Sequence, residues 1–133
     1  MIETIYDEAV KCILEGVGGG RRHWFDKNDF ILSKDERFFL TFELRDERIV
    51  DIYLKQYLDE KDKEPRLRVT VKELYGISII QENEKYKVFI DVNFSEHRDK
   101  VEPIYLDNLN ETYNIVSAKL REQIENYSLR LEN

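Results

Sequence analysis

One cysteine, two histidines, two prolines and no block of like charges are all that 133 residues provide. Each shortage removes a class of function. Cys12 alone can form neither an intramolecular disulfide nor a multi-cysteine zinc site, which suits a reducing compartment. His23 and His97 lie far apart, and no H-E-x-x-H, G-x-S-x-G or P-loop pattern accompanies them. No apolar run approaches the ~18 residues of a membrane span. Acids at Glu3, Asp7 and Glu8 stand where a secretion signal needs a basic segment. The expectation is a cytoplasmic chain with no membrane partner and no cofactor.

What is present is enough to fold. A hydrophobic fraction of 41% beside a charged fraction of 37% gives one core under a highly charged skin, and the length fits a single domain over residues 1–133. The net charge of −7 and pI near 5.0 repel phosphate backbones and anionic membranes at long range. Nucleic acid is therefore disfavoured, and a protein partner with a basic face is favoured. Acids and bases alternate throughout, so the charge pattern of a nucleic-acid mimic is missing.

Apolar residues at Ile2, Ile5, Tyr6, Ala9, Val10, Ile13 and Val17 follow the helical rhythm. Gly16 and the triplet Gly18–Gly20 then end that helix near residue 15. Period two follows in Phe38, Leu40, Phe42, Leu44 and in Val50, Ile52, Leu54, joined through residues 45–48 as one hairpin. Leu67, Val69 and Val71 predict a further strand. Ile77 and Ile79, then Tyr86, Val88, Ile90 and Val92, predict two more around the polar turn at residues 82–84. From Asp107 the apolar positions Leu109, Tyr113, Val116, Leu120, Ile124, Tyr127 and Leu131 recur at the spacing of a straight helix.

The order helix, about five mostly antiparallel strands, long helix predicts an α+β two-layer sandwich with both helices on one sheet face. If the aliphatic residues face the helices, Phe39, Tyr53, Tyr57, Arg66, Arg68, Lys72, Lys87 and Phe89 turn outward. Aromatics interleaved with bases on a sheet can bind single-stranded nucleic acid. On a chain of this acidity, a protein-binding face or ordinary cross-strand pairing fits better. Ile115 and Leu129 fall off the stripe of the last helix and could extend it into a homodimer contact.

The stretch E-G-V-G-G-G-R-R-H-W holds four of the five glycines, His23 and the sole tryptophan, Trp24. Nucleotide cradles place glycines after a strand and before a helix, so that backbone N–H groups face phosphate. Here they follow a helix, whose end presents carbonyls. Three readings stay open: a hinge, a protein contact through Arg21, Arg22, His23 and Trp24, or a phosphorylated ligand held by the same residues. The acids Asp26, Asp29, Asp35 and Glu36 could surround a metal with His23, but acids at this density recur along the whole chain. The residues thus predict a non-enzymatic binding protein that occupies a partner protein's surface, as an inhibitor, immunity or anti-defence protein would. The alternative is a small-ligand binder using the arginine loop.

Overall fold

The computed structural model describes residues 2–22, 28–32, 37–46, 48–58, 70–90 and 102–132. Helix α1 (Ile2–Gly16) precedes seven strands: β1 (Gly20–Arg22), β2 (Asp29–Leu32), β3 (Phe38–Asp46), β4 (Ile49–Tyr57), β5 (Val71–Glu82), β6 (Lys85–Ile90) and β7 (Ile104–Leu106). Helix α2 (Leu109–Glu132) follows. The strands form one antiparallel sheet in the order β1 to β7, so every strand lies beside its neighbour in sequence.

The expected α+β class is observed, with seven strands instead of about five. The pairs β3–β4 and β5–β6 are the hairpins that period two indicates, although β3 runs on to Asp46 through a register shift after Leu44. Val71 and Ile77 belong to a single 12-residue strand. Leu67, Val69 and Val92, the polar stretch 59–65 and His97 lie outside the described residues.

Helix α1 ends as its glycines require. The Gly19 N–H donates to the Leu14 carbonyl at 2.7 Å and the Gly18 N–H to the Glu15 carbonyl at 3.2 Å, the paired closure of a Schellman motif. Gly18 has φ +99° and open space around its Cα, so the left-handed backbone itself demands glycine there. At the other end of the fold, Asn108 caps α2 by accepting from the Glu111 N–H at 3.1 Å.

One cluster of buried residues joins helices and strands. Ala9 and Ile13 from α1 and Tyr113, Val116, Leu120 and Ile124 from α2 meet Phe30, Phe38, Leu40, Phe42, Ile52, Leu54, Ile77 and Val88. The strand pairings put these strand residues on a single side of the sheet. Ile115 also packs, half-buried, against this core, so it is not the exposed residue that its position off the stripe suggested. The Leu129 and Leu131 side chains lie outside the described part.

The β5–β6 turn stores strain. Asn83 and Glu84 have φ 50° and 66°, the positive values that a two-residue hairpin of this twist needs. Asn tolerates them, whereas a Glu in this region costs roughly 1–2 kcal/mol. Glu84→Gly is therefore expected to raise the unfolding free energy by about 1 kcal/mol, read as an increase in the thermal midpoint. A decrease would show that the side chain contributes more than its backbone strain.

Candidate functional site

The chain leaves the glycines directly into β1, the terminal strand of the sheet. Arg21 lies opposite Ile31 and Arg22 opposite Phe30, so successive arginines point to opposite sides of the edge. Both are exposed. Phe30 is a core residue, which puts Arg22 on the core-facing side of the sheet, where its guanidinium carbon sits 5.6 Å from the Phe30 ring centroid. Cation–ring contact of this kind holds a planar cation against an apolar support.

A cleft of about 320 Å³ opens between α1 and this edge hairpin. Helix α1 supplies Tyr6, Asp7, Val10 and Lys11, and the hairpin supplies Arg22, Asn28 and Phe30. Tyr6, Val10 and the core residue Ala9 lie on adjacent faces of one helical turn. The Tyr6 hydroxyl donates to Asn28 Oδ1 at 2.5 Å and lies 3.3 Å from the Phe42 carbonyl oxygen. The Phe42 N–H donates in turn to the Asn28 carbonyl at 2.9 Å. Asn28 is thereby tied to both α1 and β3. Arg22 and Lys11 against Asp7 leave the lining with one net positive charge on a chain of net charge −7.

The structure brings Arg22 together with Tyr6, Lys11 and Asn28, which period and motif do not reveal. Lys11 resembles any other solvated charge on α1, and Asn28 acquires its role through contacts distant in sequence. His23, Trp24, Arg66 and Arg68 lie outside the described residues, as do Asp26, Asp35 and Glu36. Asp29, the remaining acid of the suggested metal cluster, accepts a hydrogen bond from Thr41 Oγ1 at 2.7 Å.

The second sheet face differs from the open, wet surface expected. Phe39 is 3% exposed and Tyr57 5%, their rings stacked with centroids 4.6 Å apart. The Lys55 ammonium lies 5.9 Å from the Phe39 ring and 5.4 Å from Tyr53. Opposite Lys55 stands Glu73, whose carboxyl is raised above the usual range because burial outweighs the attraction of Lys55. Deeper in the face, Ser78 Oγ donates to the buried Asp51 carboxylate at 2.5 Å. Tyr57 is thus corrected from a surface aromatic to a packed one. Tyr53 and Phe89 are half-buried, and Lys87 is held by Glu82 at 2.8 Å.

A bulge explains a second correction. The β4–β5 register passes from Leu54↔Tyr75 to Lys55↔Glu73, leaving Leu74 as an extra residue. Val71 and Glu73 therefore share a face with Lys55, whereas Tyr75 and Ile77 share the core face. Lys72, expected outward, pairs with Gln56 on the face that carries the core residue Phe38.

Among the described residues, no group of three His, Cys, Asp or Glu side chains is placed to hold a metal, and no helix is long and apolar enough to cross a membrane. No protein-family model, curated protein or solved structure matches the chain.

Proposed function

We propose that this is a non-enzymatic binding protein that acts by occupying another protein's surface, in the manner of an inhibitor, immunity or anti-defence protein. The observation that carries this reading is the exposed pair Arg21 and Arg22 on the terminal strand of the sheet. In this reading the two helices form one layer over the core face, and the β1 edge with its following residues His23 and Trp24 is the contact. Arginine and tryptophan dominate binding hot spots because each offers a large, pre-shaped contact area with a polar handle. On a molecule of net charge −7, the cationic edge acts at short range, fixing orientation where its arginines meet an acidic spot on the partner.

Affinity capture from the native host lysate tests the proposal. The Arg21→Ala/Arg22→Ala variant is expected to lose a protein that the natural chain retains, with at least a tenfold fall in affinity, about 1.4 kcal/mol. An identical set of captured proteins would remove the edge from the mechanism.

A second reading draws on the cleft itself. Arg22 and Lys11 at a hollow floored by Phe30 could hold a small anionic molecule such as a phosphorylated metabolite or nucleotide. Thermal shifts across a nucleotide panel distinguish the two readings, since a ligand at 100 times its Kd stabilises by ~2.7 kcal/mol.

A further inference from the structure

The cleft has one wall from a helix and the other from the edge hairpin. Gly20 at the start of β1 lies beside Leu14, because a Cβ there would stand 3.2 Å from Leu14 Cδ2. At the other end of β1, Arg22 lines the cleft with Val10 and Lys11. Helix α1 therefore runs alongside β1, in the opposite direction. A sheet edge beside a helix provides two means of recognition: backbone groups that can extend the ladder, and a hollow that receives alternate side chains of the added strand.

We infer that β1 takes up an extended acidic segment of the partner protein by strand addition, with one Asp or Glu side chain entering the cleft between Lys11 and Arg22. This inference rests on the protein-occupying reading above and names its mode. The charge of the lining sets the occupant. Asp7 offsets one of the two cations, so the hollow balances a single carboxylate. Its volume of about 320 Å³ is at the low end of the ~300–1,000 Å³ of small-molecule sites, and it suits one or two side chains. Alternation follows from the strand itself. Residues of the incoming segment opposite Arg22 turn toward the cleft, and those opposite Arg21 turn to the second face.

The opposite edge is less suited to this use. Strand β7 follows Pro103, which has no N–H, and is flanked by the acids Glu102 and Asp107. Its neighbouring lysines already face acids, Lys87 with Glu82 at 2.8 Å and Lys85 with Asp107 at 3.7 Å.

The test is selection of random linear dodecapeptides displayed against the full chain, followed by affinity measurement on the best binder. Enriched peptides are expected to share an acid within an alternating frame. Their affinity should fall at least tenfold in the Lys11→Ala/Arg22→Ala variant, whose substitutions are exposed and whose thermal midpoint serves as the folding control. N-methylation of alternate peptide nitrogens should weaken binding at least tenfold, because an added strand needs its donors. Binding that survives N-methylation of every residue would overturn strand addition while leaving arginine contact intact. No enrichment, enrichment without acids, or indifference to the double variant would also overturn it. The broader reading is judged separately, by the lysate capture with Arg21→Ala/Arg22→Ala.

Discussion

Phe42→Ala is expected to lower the unfolding free energy by about 3–5 kcal/mol, the range for deleting a fully buried phenylalanine. Phe42 has no exposed surface and meets Phe30 edge to face, with centroids 5.6 Å apart and planes at 86°. Its strand neighbours Leu40 and Leu44 and its partner Ile52 continue the same apolar face. Its backbone also binds Asn28 and approaches the Tyr6 hydroxyl, so the cavity would open directly beneath the candidate cleft. Urea denaturation of Phe42→Ala beside Phe42→Leu separates the contributions, since the leucine retains most of the apolar volume and should cost less than about 1.5 kcal/mol. A loss below 1.5 kcal/mol for alanine would mean that the core collapses around the gap.

The second large effect lies where the helices meet. Gly16 faces Ser117 so closely that a Cβ on residue 16 would stand 2.5 Å from Ser117 Cβ. Ser117 is itself 5% exposed, and no rotamer change moves a Cβ. Gly16→Ala should therefore force α1 and α2 apart and cost about 1–3 kcal/mol, as overpacking does. Ser117→Ala retains the offending carbon and should give no rescue. In a double-mutant cycle, Ser117→Gly should recover most of the loss on the Gly16→Ala background, with a coupling energy of at least about 1 kcal/mol. Additive losses would relocate the strain elsewhere.

The parts of the fold legible in sequence are those long enough to show a period. Helix α1, helix α2 and the hairpins β3–β4 and β5–β6 each carry several apolar residues at a fixed spacing. The three strands absent from the sequence reading are short: Gly20-Arg21-Arg22 has no apolar side chain, Asp29-Phe30-Ile31-Leu32 holds a continuous apolar run without alternation, and Ile104-Tyr105-Leu106 is too brief to show a period. The bulge at Leu74 hid a different feature, since residues 71 and 73 have the same parity as 75 and 77 but face the other way. Period two thus identified strands better than it assigned their faces.

The same limit applies to the site. Alternation separated Phe39, Tyr53 and Tyr57 from the core face, yet a polar-looking strand can still bury aromatic rings against one another. Arg21 and Arg22 stood out by composition. Tyr6, Lys11 and Asn28 did not, because only the docking of α1 beside the hairpin brings them to Arg22.

The neighbour-to-neighbour order of the sheet, with its two helices joined at Gly16 and Ser117, separates folding into fast and slow events. Each hairpin pairs segments that are already close along the chain, so the ladder can zip turn by turn within microseconds. Seating α1 against α2 instead closes a loop of roughly a hundred residues, an entropic toll of about 4 kcal/mol. That closure becomes favourable after the sheet has shortened the path. Turn substitutions such as Glu84→Gly then act on the rate of folding, and substitutions at the helix seam act on the rate at which the finished molecule opens.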